Sequence, residues 1–306
     1  MTTTTPVIEV DSLTKSHGDT TAVDDLSFRV HPGRVTGFLG ANGAGKTTTM
    51  RILLGLEEPT SGRARIHGLG YRDLPDPLRT VGALLDPQAP HPGRSARDHL
   101  RWLCRAGRIP FARADRLLDE VGLADVATRR VGGFSLGMRQ RLGIAAMLLG
   151  DPRVLVLDEP LNGLDPEGIA WVRGLLRDLA GRGRTVFVSS HLMGEMEATA
   201  DHVLVLRKGR LVADLPVEEF SRGSGAFRVR VVSPRVEELV RLVEGSSVVR
   251  RVGEDTVEVV GPDSSTLGSL AAREGLVLHE LTPLRTGLEE AFLALNGDET
   301  GQEGNR

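Results

Sequence analysis

Apolar and polar residues alternate along Asp24–Val30, with Leu26, Phe28 and Val30 on one side, which predicts a strand with one buried face. Short apolar runs at Val35–Leu39, Val81–Leu85, Val154–Leu157, Thr185–Ser189 and His202–Arg207 predict further strands, and the first of these runs straight into a glycine-rich turn. Helices are predicted over Gly45–Leu54, Ser135–Leu149 and Pro166–Ala180, the last after a cap at Asp165. Ser95–Val121 is rich in helix formers and arginine and reads as a helical insertion. Short strands alternating with helices predict an α/β fold, a parallel sheet with helices on its faces.

The texture changes after about Leu215. Arg222-Gly223-Ser224-Gly225 reads as a linker. Beyond it the pattern predicts strand Phe227–Val232, helix Pro234–Val243, strands Val248–Val252 and Thr256–Val260, helix Asp263–Arg273 and strand Val277–Leu281. That β-α-β-β-α-β order is the split βαβ pattern of a ferredoxin-like α+β domain. A last helix, Gly287–Leu295, closes it, and the polar tail from Gly297 reads as disordered. The expected organisation is a first domain over 7–218 with a helical subdomain at about 87–134, a second over 226–296, and a tail over 297–306.

Composition narrows the function classes. The 306 residues carry a net charge of −3 and a pI near 6.3, which disfavours direct nucleic-acid binding. Cys104 is the only cysteine, so no intrachain disulfide can form, which fits a reducing cytoplasm. The N-terminal residues MTTTTPVIEV lack a signal-peptide pattern. The longest apolar stretch, Leu142–Leu149, falls well short of the roughly 18 residues that span a bilayer. Any work on a membrane then needs spanning helices from another chain. The basic residues are nearly all arginine; only Lys15, Lys46 and Lys208 are lysines.

One of those lysines completes the strongest motif. Gly40-Ala41-Asn42-Gly43-Ala44-Gly45-Lys46-Thr47 fits the phosphate-binding loop G-x-x-x-x-G-K-[ST], with an apolar strand before it and a helix after it. The glycines let successive backbone N–H groups turn inward onto phosphate oxygens, and the following helix adds the positive end of its dipole. Lys46 is expected on the β- and γ-phosphates, Thr47 on Mg²⁺ and Thr48 on a phosphate oxygen. The second motif, Val154-Leu155-Val156-Leu157-Asp158-Glu159-Pro160, delivers two carboxylates at the C-terminal end of a strand, where open α/β sheets bind ligands. Asp158 is expected to hold Mg²⁺, and Glu159 to polarise the attacking water as general base. Together the two motifs predict a P-loop NTPase.

A third segment, Phe134-Ser135-Leu136-Gly137-Met138-Arg139-Gln140-Arg141, resembles the signature of ATP-binding-cassette (ABC) transporter ATPases, Leu-Ser-Gly-Gly-Gln followed by a basic residue, Gln and Arg. Leu136 and Met138 depart from it, whereas Ser135 and Gly137 remain. The resemblance covers about residues 7–215 and runs in the family's order. Gly163-Leu164-Asp165-Pro166 is similar to the loop that links two sites across a dimer, and Ser189-Ser190-His191 to the segment carrying the switch histidine. Ser16-His17-Gly18 occupies the place of the family's adenine-stacking aromatic, with Val23 expected against the base. Alignment on Pro92 puts Asp86 where the family's glutamine loop has its magnesium-ligating glutamine.

The resemblance implies an ATP-hydrolysing subunit on the inner face of the cell membrane, working as a head-to-tail homodimer beside a separate permease chain that binds the transported small molecule. It implies ATP and Mg²⁺ as ligands, Glu159, His191, Lys46 and Asp86 as catalytic groups, and Ser135, Gly137 and Asp165 as contacts across the dimer. The signature wording and the acidic residue at position 86 resemble the branch that exports drugs and antibiotics. Two other readings stay open: a soluble ABC ATPase acting on ribosomes or DNA, and a regulator that binds ATP without hydrolysing it.

Overall fold

The computed structural model describes residues 5–221, 227–245 and 247–284. The chain divides into two compact units, Met1–Leu215 and Pro216–Arg306.

In the first unit, β1 (Ile8–His17), β2 (Thr20–Val30) and β4 (Ser61–Ile66) form an antiparallel sheet in the order β2-β1-β4. A second sheet is built from β3 (Val35–Leu39), β5 (Val81–Leu84), β6 (Val154–Leu157), β7 (Thr185–Ser190), β8 (His202–Arg207) and β9 (Arg210–Pro216) in the order β5-β6-β7-β3-β8-β9. The pairs from β5 through β8 are parallel. Every residue of β3, β6 and β7 is buried, which is why these strands read as unbroken apolar runs rather than alternations.

The helix α1 (Lys46–Leu53) sends Met50 and Leu53 into a core shared with both sheets. Phe28, Phe38 and Phe187 meet there with ring centroids 5.0–5.7 Å apart, a tilted arrangement that adds specific geometry to apolar burial. The order of strands positions the chemistry. β6, β7 and β3 are neighbours and run in one direction, so the loops at their C-terminal ends emerge side by side.

The remaining helices are α2 (Pro77–Thr80), α3 (Ala96–Ala106), α4 (Phe111–Glu120), α5 (Leu136–Met147), α6 (Pro166–Gly181) and α7 (Met193–Glu197). Ser95 caps α3 by accepting from Asp98 N, and Ala96, Leu100 and Cys104 at four-residue spacing make its buried stripe. Among the described residues no helix is long and apolar enough to cross a membrane.

In the second unit, α8 (Val217–Ser221) precedes β10 (Phe227–Val232), α9 (Val236–Val243), β11 (Val248–Arg251), β12 (Thr256–Gly261), α10 (Ser264–Arg273) and β13 (Glu280–Leu284). The sheet order is β11-β12-β10-β13 and every neighbouring pair is antiparallel, the strand arrangement of the split βαβ pattern. Val229, Val231, Val257 and Val259, two apart on adjacent strands, pack under Leu239 and Val243 of α9 and Leu267 of α10. The last strand begins later than the expected Val277–Leu281. Ser233 Oγ donates to Val277 O at 2.8 Å, taking the acceptor a ladder would use, and pairing with β10 starts only at Glu280 opposite Val232. The expected linker Arg222–Gly225, closing helix Gly287–Leu295 and tail from Gly297 lie outside the described residues.

Candidate functional site

The glycine-rich loop leaves β3 and enters α1 at Gly45. Gly45 sits at φ +102°, and a Cβ there would stand 2.4 Å from Ala22 O; a Cβ at Gly40 would stand 2.7 Å from Leu206 O. Both positions admit only glycine for reasons of space, and Gly45 also for conformation. Ala41, Asn42 and Gly43 are exposed, Ala44 and Gly45 buried, and Ala44 N donates back to Ala41 O at 3.1 Å to close the turn.

Lys46 is 5% exposed, and its ammonium curls over the loop, donating to Gly40 O at 2.7 Å and Ala41 O at 3.3 Å. A buried ammonium needs a negative partner. Glu159 Oε1 supplies it at 3.2 Å, an ion-pair distance at which Oε1 makes no hydrogen bond of its own. The other oxygen, Oε2, lies 2.8 Å from His191 Nδ1 and 3.3 Å from the His191 amide. Glu159 therefore bridges the phosphate-loop lysine and the histidine that follows β7. Its backbone holds φ +49°, uncommon for a residue with a side chain.

Asp158 is almost fully buried and held at both oxygens. Thr47 Oγ1 donates to Oδ2 at 2.7 Å and Ser189 Oγ to Oδ1 at 2.5 Å. Ser189 Oγ also accepts from Glu159 N at 2.9 Å, so one hydroxyl fixes both carboxylate residues. Gln140 braces the same turn from α5, donating Nε2 to Pro160 O at 2.7 Å. Sequence reading did not foresee the roles of Ser189 and Gln140; Ser189 stood within the quoted segment, and Gln140 within the signature-like one.

Other expected residues lie elsewhere. Asp86 follows β5 by two residues, is exposed, and its Oδ1 accepts from Gln88 N at 2.7 Å. Among the described residues no three or more His, Cys, Asp or Glu side chains gather as a metal site. Thr48 is half-buried next to Thr47. Ser135 caps α5 by accepting from Met138 N at 3.2 Å, and Asp165 caps α6 by accepting from Gly168 N at 2.9 Å. Ser135, Gly137 and Asp165 line one cavity of about 180 Å³, whose wall contains none of the residues Gly40–Thr48. His17 is exposed at the end of β1, with Nε2 3.2 Å from Glu57 Oε1. Val23 corrects the expectation placed on it: it is 0% exposed in the core and its Cγ2 lies beneath Gly45, so it floors the loop and offers no surface to a base.

A buried ammonium in a glycine cradle, a hydroxyl on a carboxylate and a second carboxylate poised on a histidine form a phosphate-binding and phosphate-hydrolysing arrangement. Comparison with known proteins agrees. Residues 23–162 match the family described as ABC transporter, and residues 227–289 match one described as a domain of unknown function (DUF8746). The bacitracin transport ATP-binding protein BcrA of Bacillus licheniformis is 36% identical over 301 residues, covering 96% of this chain and 98% of that protein. The daunorubicin resistance ATP-binding protein DrrA3 of Streptomyces coeruleorubidus is 35% identical over 306 residues, covering 95% of this chain and 96% of that protein. Among solved structures, an ATP-binding subunit of an ABC transporter superposes with a TM-score of 0.64 at 27% identity, over 71% of this chain and 92% of that one. The cbiO1 protein from Clostridium perfringens, part of the ABC transporter complex cbiONQ, gives 0.62 at 26% identity over 70% and 90%. The chain belongs to the ABC transporter ATP-binding family and is an ATPase subunit that powers transport.

Proposed function

We propose that this chain hydrolyses Mg-ATP at the inner face of a cell membrane to drive export of a drug, antibiotic or lipid-like molecule through a separate integral-membrane permease. The class of cargo rests on relatives whose names attach them to bacitracin, daunorubicin and lantibiotics. The observation that carries the catalytic reading is Glu159 held between Lys46 and His191.

The γ-phosphate of ATP replaces Glu159 Oε1 as the partner of Lys46, and loop amides take the remaining phosphate oxygens. Glu159 is then free to accept a proton from a water while that water attacks the γ-phosphorus in line. The bond to the bridging oxygen breaks and ADP carries the electron pair away. General-base help of this kind contributes about 10²–10⁴-fold. His191 keeps Glu159 Oε2 oriented. Thr47 and Asp158 offer hard oxygens suited to Mg²⁺, which would neutralise charge on the β- and γ-phosphates, with Asp86 as a further ligand. Loss of Mg²⁺-dependent turnover in Asp86→Ala supports that ligand role, and unaltered turnover refutes it.

Ser135, Gly137 and Asp165 complete the site from a second copy in a head-to-tail dimer, each ATP lying between Lys46 of one chain and Ser135 of the other. Their common cavity, separate from the phosphate loop of the same chain, supports that reading. Closure with ATP and opening after hydrolysis supply the two-state motion that a permease converts to transport.

The test is steady-state ATPase activity of wild type beside Glu159→Gln, with the oligomeric state of each measured in ATP. Turnover in the wild type alone, with an ATP-dependent dimer of the variant, is the expected result. Equal turnover in both refutes the role of Glu159. A variant that binds ATP and stays monomeric refutes the sandwich dimer.

A further inference from the structure

Glu57 lies in the loop between α1 and β4, and its side chain is only 19% exposed. Two cations and an imidazole converge on it. Lys15 Nζ stands 3.5 Å and His17 Nε2 3.2 Å from Oε1, and Arg51 Nε stands 3.6 Å from Oε2. Lys15 Nζ also donates to the neighbouring Glu58 O at 2.8 Å. One carboxylate thus ties the end of β1 to the last turn of α1, the helix that opens with Lys46.

His17 has little else to hold it. Its side chain is 54% exposed at the tip of the β1–β2 hairpin, next to Gly18 at φ +57°. A free imidazole there would sample several rotamers, and a ring that must be immobilised on binding loses affinity for whatever stacks on it.

We propose that Glu57 is a positioning residue for the nucleotide base: it holds His17 by Nε2 so that one imidazole face is presented to adenine, and through Arg51 it keys that ring to the helix that carries the phosphate-binding residues. The inference rests on the reading of His17 as the base-stacking residue. It also accounts for a histidine in a place where a larger aromatic ring would be the better stacker. A tyrosine or tryptophan offers more contact area and needs less restraint, whereas an imidazole offers a second nitrogen by which a carboxylate can fix it. Releasing one immobilised side chain weakens binding about three- to tenfold.

The experiment measures binding of Mg-ATP and of magnesium tripolyphosphate, which has no base, to the full chain by calorimetry. The variants are Glu57→Gln, His17→Ala, the double variant, and Glu57→Gln in a His17→Trp background. The expected result is that Glu57→Gln weakens ATP three- to tenfold and leaves tripolyphosphate unchanged. It adds nothing to His17→Ala and costs nothing beside His17→Trp, and kcat at saturating ATP stays at the wild-type value. Equal weakening of ATP and tripolyphosphate, or a loss that persists in the His17→Ala background, overturns the positioning role in favour of general support of α1. If His17→Ala weakens ATP and Glu57→Gln does not, the base site stands and the role of Glu57 falls. If His17→Ala itself leaves ATP affinity intact, the base does not stack on His17, and the reading on which the inference rests is refuted.

Discussion

His99 gives a direct test of how tightly the helices around α3 are packed. It is 9% exposed, its Nδ1 has no hydrogen-bond partner, and burial, with a smaller contribution from the Arg94 charge, lowers its pKa from 6.5 to about 4. The native state therefore refuses a proton that the unfolded chain accepts. Above pH 6.5 neither state binds it and the full stability is present; as pH falls from 6.5 towards 4, stability is lost. One pKa unit corresponds to about 1.4 kcal/mol, so the loss is about 2 kcal/mol at pH 5 and levels off near 3 kcal/mol below pH 4. His99→Leu keeps the volume and removes the titration. Both tryptophans, Trp102 and Trp171, lie within Met1–Leu215, so urea unfolding followed by tryptophan fluorescence reports on that unit. Between pH 8 and pH 5 the wild type should lose about 2 kcal/mol more than the variant, a relative midpoint shift of about 1 M urea at a slope of about 2 kcal/mol/M. Carboxylates whose pKa values are lowered by their partners, such as Asp11 beside Arg29, are common to both proteins and cancel in the comparison. Equal losses in the two proteins would refute the reasoning, because His99 would then be accessible to a proton in the folded state.

Two further outcomes follow from the site's geometry. Gly45→Ala places a Cβ 2.4 Å from Ala22 O at φ +102° and should weaken ATP at least tenfold by calorimetry; Gly43→Ala, at φ +81° with open space around it, should cost less in the same assay. Gln140→Leu leaves the buried Pro160 carbonyl without its donor, which should cost about 1–3 kcal/mol in urea unfolding, and in steady-state kinetics should lower kcat more than it raises KM, because Gln140 braces the turn that carries Glu159.

What the sequence made legible and what it hid have physical causes. The parallel strands β3, β6 and β7 are buried on both faces, so their unbroken apolar runs mark them with almost correct ends. The phosphate loop is legible because its glycines answer local demands of space and φ, which spacing records. β1 was hidden because Ser12, at φ +44°, sits where its register shifts; Ile8 and Val10 alternate inward, and the irregularity then turns Leu13 into the core out of phase. β4 was hidden because only Ile66 of its six residues is fully buried, leaving no period to read. The resemblance puts Val23 against the base, but the close approach of Gly45 to Ala22 seals it beneath the loop. The convergence of Lys15, His17 and Arg51 on Glu57 joins residues up to 42 positions apart and has no local signature.

The contacts of Lys46 bear on the proposed cycle. Lys46 binds two loop carbonyls and Glu159 Oε1, so the ammonium and the proposed general base occupy each other. Exchange of a carboxylate for a phosphate oxygen keeps the buried ammonium compensated throughout, and avoids the several kcal/mol that an unpaired buried charge would cost. On the proposed mechanism the same exchange activates the base, since Glu159 is released only by a ligand that reaches Lys46. A nucleotide that has lost its γ-phosphate no longer competes for that ammonium as strongly, and Glu159 returns to it. On that mechanism the Lys46–Glu159 ion pair couples the occupancy of the phosphate site to the readiness of the group that acts on it.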